Sequence, residues 1–134
     1  RQIEGQALSA LASLALEQGR ARDAVSMMKG ALRIDRDRGA HLQTAFDLSR
    51  FARALAVAGE AGADAARLLS SAEALREEIG AGVTPFFAKV EQEALTAIRA
   101  QLDDAAFAEA WEEGQALAAD DAIALALGEL ERDA

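Results

Sequence analysis

Apolar residues recur three and four positions apart along most of the chain, beginning with Ile3, Ala7, Leu8, Leu11, Ala12, Leu14 and Ala15. That spacing follows the 3.6-residue turn of an α-helix and leaves the polar residues on the other side. It predicts helices over residues 3–18, 21–37, 40–58 and 63–79. Gly19, Gly39, Gly59, Gly62 and Gly80 punctuate them, since a residue without Cβ readily takes the left-handed backbone that ends a helix. The segment Gly80-Ala81-Gly82-Val83 breaks the pattern, and Thr84-Pro85 restarts it. There the Thr hydroxyl caps free backbone N–H groups and Pro suits the first turn. A fifth helix is predicted over 85–101. A sixth is capped by Asp103 or Asp104 and carries Phe107 and Trp111, and a seventh spans 119–130 with Ile123, Ala126, Leu127 and Leu130 on one stripe. Ala118 offers no capping oxygen, which predicts a seventh helix that frays or starts at Asp120.

The first four helices repeat as two pairs. Leu8, Leu11, Ala12 and Ala15 realign with Leu48, Phe51, Ala52 and Leu55 at an offset of 40, and Ala24, Met28 and Ala31 with Ala65, Leu69 and Ala72 at an offset of 41. The extra residue falls in the turn between the helices of a pair, where insertions cost little. Ala12, Ala24 and Ala31 let the two helices approach, and Leu and Met fill the spaces between them. This order of small and large residues resembles the tetratricopeptide hairpin. The expected fold is all-α: two tetratricopeptide-like hairpins (3–38 and 40–79) in a right-handed superhelical stack over residues 1–80, then a three-helix C-terminal cap over 81–134 in the same domain.

Composition supports helices. The chain has 134 residues, 35 of them Ala, with one proline and few β-branched residues, and a sheet would want the reverse. Charge adds a restriction on partners. The formal net charge is −9, and residues 81–134 carry twelve acidic groups against three basic ones. Such a segment repels phosphate backbones, so no nucleic-acid binding is expected of it. With no cysteine, neither a disulfide framework nor a thiolate metal site arises, which fits a reducing cytoplasm. No apolar run approaches the roughly 20 residues needed to span a bilayer, so no membrane association is expected. The chain opens Arg1-Gln2-Ile3-Glu4, without an initiator Met or a signal peptide. It therefore reads as a segment from which something N-terminal has been removed.

A wider resemblance rests on Ala66-Arg-Leu-Leu-Ser-Ser-Ala-Glu-Ala-Leu-Arg-Glu-Glu-Ile-Gly80, Ala106-Phe-Ala-Glu-Ala-Trp-Glu-Glu-Gly-Gln-Ala-Leu117 and Asp121-Ala-Ile-Ala-Leu-Ala-Leu127. Over residues 40–130 this is similar to the C-terminal region of bacterial (actinobacterial-type) multidomain regulators. Those proteins join a STAND-type ATPase to a tetratricopeptide-like array and to a LuxR-type DNA-binding or adenylate cyclase domain. The resemblance implies a scaffold or sensor segment for protein or small-ligand interaction in signal transduction. Its partner would be another protein or the upstream domains of the same chain. In such arrays the first helix of each pair lines the concave face. Carrying those positions over gives Gln6, Ser9 and Ser13, then Phe46, Ser49 and Arg53, with ordinary solvated helix surface as the alternative. A rival reading is a structural or self-association element without an external ligand, whose broadly apolar first helix docks on upstream repeats or on another copy as a weak homodimer.

No catalytic constellation emerges, and no enzyme activity, cofactor or metal is expected. His41 is the single histidine and has no second His or Cys to complete a metal site. The acidic pairs Glu77-Glu78, Asp103-Asp104, Glu112-Glu113 and Asp120-Asp121 point about 100° apart on a helix and do not converge. Ser70-Ser71 has no base at helical spacing. Phe107 and Trp111 read as core packing against the fifth and seventh helices, or else as an exposed binding anchor. Arg33, Arg36 and Arg38 suit the C-terminal dipole of the second helix, or else hold an acidic partner.

Overall fold

The computed structural model describes residues 2–130, and all regular secondary structure among them is helical. The elements are α1 (Gln2–Glu17), α2 (Ala21–Arg38), α3 (His41–Val57), α4 (Gly62–Ile79), α5 (Pro85–Arg99), α6 (Asp104–Gln115) and α7 (Ala119–Ala126). Gly39 and Gly80 end α2 and α4 in the left-handed conformation, which frees the last carbonyls to accept bonds from the following N–H groups. The turn before α4 departs from expectation: Ala61 takes the positive φ of 49°, while Gly62 is buried as the first residue of the helix. A Cβ on Gly62 would stand 3.0 Å from Gln101 Cβ, so the glycine there serves close packing.

Thr84 and Asp103 cap α5 and α6 through their side chains, accepting from the Phe87 and Ala106 N–H groups. At α7 the Ala118 position has the extended backbone of a cap but no side-chain bond. This helix starts at Ala119 and stops four residues short of the expected 130. Gly128 turns left-handed at φ 76°, and Glu129 N donates back to Ala124 O at 2.8 Å. Leu130 consequently lies outside α7.

α3 occupies the centre. It packs on α4 and α2 most extensively, then on α5, with smaller contacts to α7 and α1. The core holds Met28, Leu32, Leu48, Phe51, Leu68, Leu69, Ile98 and Ile123, with buried alanines Ala12, Ala24, Ala31, Ala52, Ala65 and Ala72 between the helices. Burying each of the larger side chains contributes about 1.5–3 kcal/mol. The last three helices pack along the first four. α5 lies against α3 and α6 against α4, while α7 touches α2, α3 and α4. α6 comes so close to α4 that a Cβ on Gly114 would meet Arg67 O at 2.2 Å. Phe107 and Trp111 of α6 are half-buried against the core. They stack with centroids 5.5 Å apart, and Ser70 Oγ donates to Trp111 O at 2.6 Å. From α5, Arg99 covers the Phe107 ring at 4.1 Å. No helix among the described residues is long and apolar enough to cross a membrane.

Candidate functional site

The side of the molecule built from α1, α3 and α5 carries a cleft of about 280 Å³. α1 contributes Ser13, Leu16 and Glu17, α3 contributes Arg53 and Val57, and α5 contributes Phe86, Lys89, Val90 and Glu93. Each residue set follows from helical spacing, since positions three and four apart share a face. Thr84 and Pro85 fix where α5 begins and hence where Phe86 stands. The walls mix aliphatic and aromatic groups with two cations and two carboxylates. Val57 and Phe86 are half-exposed at 49 % and 50 %.

Arg53 is the unusual member. It is 8 % exposed, nothing among the described residues accepts from its Nε, and its Nη1 lies 3.7 Å from Glu93 Oε2. That separation gives charge attraction without a hydrogen bond of normal length. Burial lowers the Arg53 pKa, with Arg50 adding to the effect and Glu93 and Glu17 opposing it. A planar guanidinium with unfilled donors at the edge of an apolar cleft can take a carboxylate or carbonyl oxygen from a bound chain.

Beside the cleft lies an aromatic cluster. Phe46 stacks on Phe87 with centroids 4.3 Å apart, Phe86 meets Phe87 edge-on at 5.2 Å, and the Arg50 guanidinium sits 4.7 Å from the Phe87 centroid. Arg50 also donates to Asp47 Oδ1 at 2.8 Å. The same oxygen accepts from Ser9 Oγ at 3.0 Å, and Gln43 reaches the other carboxylate oxygen at 3.4 Å. Asp35 faces this group from α2. Its pKa is raised to about 8 by burial, by its hydrogen bond to Asp47 and by that neighbour's charge, against the pull of Arg38 and Arg50. Burial and the neighbouring carboxylate thus favour the protonated form of Asp35.

The six positions carried over from the tetratricopeptide resemblance divide into two groups. Ser13 and Arg53 line the cleft. Gln6 is exposed above a second hollow that Ser9, Ala10, Gln43 and Arg50 also line, and Phe46 is half-buried in the aromatic cluster. Ser49 is closed off at 1 % exposure, and Ser9, at 5 %, shows only a small part of its surface at that hollow. Ser9 bonds Gly5 O and Asp47, and Ser49 bonds back to Ala45 O at 3.4 Å. The whole α5 contribution escaped the sequence reading, which assigned residues 81–134 to a cap. A signal was present in Phe86-Phe87, two large aromatics in the first turn of a helix, where one face cannot bury both. Comparison of the chain with protein-family models, characterised proteins and solved structures finds no match.

Proposed function

We propose that this chain is an interaction scaffold that binds a protein segment along its α1–α3–α5 side and carries out no chemistry of its own. In this reading the helix pairs α1–α2 and α3–α4 are tetratricopeptide-like units in a right-handed superhelical stack, α5 and α6 extend it, and the whole belongs to a bacterial signal-transduction regulator. The observation that carries the reading is the cleft, in which a nearly buried Arg53 with an unfilled Nε lies among Leu16, Val57, Phe86 and Val90. An apolar wall with few oriented polar groups is the usual make-up of a recognition site. The repeated order of small and large residues supports the stacked-pair architecture.

The test is site-specific photo-cross-linking in expressing cells. A photoreactive residue at Phe86 or Val57 should yield a discrete adduct that the same residue at Glu109, exposed on α6, does not. Arg53→Gln should weaken the adduct while leaving the melting temperature near that of the parent chain. Equal labelling from both sides, or none from Phe86, would remove the cleft from consideration.

A further inference from the structure

α1 leaves an apolar face uncovered. Ile3, Leu11 and Leu14 are 80 %, 49 % and 46 % exposed, and Ala7 and Ala10 between them are exposed as well. Positions 3, 7, 10 and 14 alternate steps of four and three, so with Leu11 they form one seam along the helix. The 40-residue offset identifies what such a seam contacts elsewhere in the molecule. Ala7, Leu11 and Leu14 correspond to Asp47, Phe51 and Ala54 of α3, which are 0 %, 2 % and 0 % exposed.

The difference lies in the neighbours. Both helices have a following partner of their own pair and a next first-helix beside them: α2 and α3 for α1, α4 and α5 for α3. The neighbours of α3 without a counterpart around α1 are α1 itself, α2 and α7, and α2 makes by far the most extensive of those contacts. Asp35 of α2 and Asp47 of α3 are buried together along that contact, at 2 % and 0 % exposure. We propose that the outer face of α1 is the docking site for the second helix of a further unit of the same kind, seated there as α2 is seated on α3.

The residues specify that helix. Ala7 stands where α3 has Asp47, and Ala10 where it has Arg50, so the α1 seam offers neither the acceptor nor the cation that surrounds Asp35. The incoming helix therefore carries a small or apolar residue at the place of Asp35. At the places of Ala24, Met28, Ala31 and Leu32 it keeps the small-and-large pattern that α2 buries. The inference rests on the two-unit repeat and not on the cleft, so cross-linking at Phe86 can fail while this stands.

The experiment uses the full chain with a second copy of residues 1–40 placed ahead of residue 1, carrying Asp35→Ala in the added copy only. The chain has no cysteine, so Leu14→Cys in the original unit supplies a single reporter thiol, with Leu11→Cys as a second site should the first perturb folding. Adding the unit should slow alkylation of the thiol by about tenfold or more, as burial of a formerly open site does. The extended chain should also melt in one transition above that of the parent. Unchanged alkylation, with the added unit melting separately or remaining unfolded, would overturn the proposal. So would a parent chain in which the thiol becomes protected as concentration rises and is released by Leu11→Glu, for then a second copy fills the face.

Discussion

Asp35 on α2 and Asp47 on α3 are buried side by side, at 2 % and 0 % exposure. Asp47 is the better served of the two, accepting from Ser9, Gln43 and Arg50, whereas Asp35 Oδ2 has no partner among the described residues. A proton on Asp35 removes the clash of two acids and supplies the missing donor. Because its pKa rises from 3.8 to about 8 on folding, the folded chain holds one proton more than the unfolded chain between those values. Stability from this group is complete below pH 3.8 and is lost as pH rises through about 8. Urea unfolding at pH 5 and pH 8 should therefore differ by on the order of 3 kcal/mol, the acid side being more stable. Asp35→Asn keeps a donor toward Asp47 and should flatten the profile. Glu73, raised by burial and by Glu77 and Glu91, contributes a residual slope of the same sign. A profile as steep in Asp35→Asn as in the parent would place the titrating group elsewhere.

Gly114→Ala should be among the most damaging single-methyl additions. The new Cβ would meet Arg67 O at 2.2 Å and Ser70 Cβ at 2.7 Å, and the first of these is backbone that cannot swing aside. Separating α4 from α6 should cost about 1–3 kcal/mol or more, read as a lower melting temperature. Gly30→Ala is the control. Its Cβ meets only the flexible end of Leu8 at 3.0 Å, and the helix preference of Ala, worth about 1 kcal/mol, offsets that contact, so the melt should barely move.

The number of helices and most of their ends were legible because both follow from local rules. Apolar spacing sets the helical stretches, Gly39 and Gly80 terminate two of them, and the oxygens of Thr84 and Asp103 start two others. The place of α5 beside α3 was not legible, since helix docking depends on many weak side-chain contacts summed over the surface. The Asp35–Asp47 pair lies between these cases. Asp35 continues the buried stripe of Met28 and Leu32, and Asp47 sits among Thr44, Leu48 and Phe51 on another, so each is an acid at a core position. Reading the stripes for polar interruptions would have singled both out. Ser9 and Ser49 are more buried than the repeat pattern implied for a related reason: a small hydroxyl on a helix bonds a carbonyl one turn back and is buried at little cost.

Ala52→Leu should destabilise through overpacking. Ala52 is 0 % exposed and its repeat equivalent Ala12 is 1 % exposed, each at a point where helices need a small side chain. Three added carbons should cost about 1–3 kcal/mol, and an unchanged denaturation midpoint would refute the assignment of that position as a close crossing. The double variant Ala12→Leu, Ala52→Leu should lose roughly the sum of the single effects if the two crossings are independent.

α7 offers the opposite experiment, a substitution that should stabilise. Its N-cap position, Ala118, already has the extended backbone of a capping residue at φ −70° and ψ 156°. What it lacks is an oxygen to accept from the N–H groups of the first turn, which Thr84 and Asp103 provide for α5 and α6. Ala118 is exposed, so a hydroxyl added there displaces no packing. Ala118→Ser should gain about 0.5–1 kcal/mol and raise the melting temperature by a few degrees. Ala118→Asp supplies the same oxygen but adds a negative charge close to Asp120 and Asp121, which offsets part of the favourable helix-dipole interaction. The serine variant should therefore equal or exceed the aspartate variant at low salt, and added salt should narrow the difference. Amide exchange supplies the local readout, with slower exchange expected at Asp120 and Asp121, two and three residues past the cap. Unchanged exchange there in Ala118→Ser would mean that the start of α7 is held by its packing on α2, α3 and α4 and not by its cap.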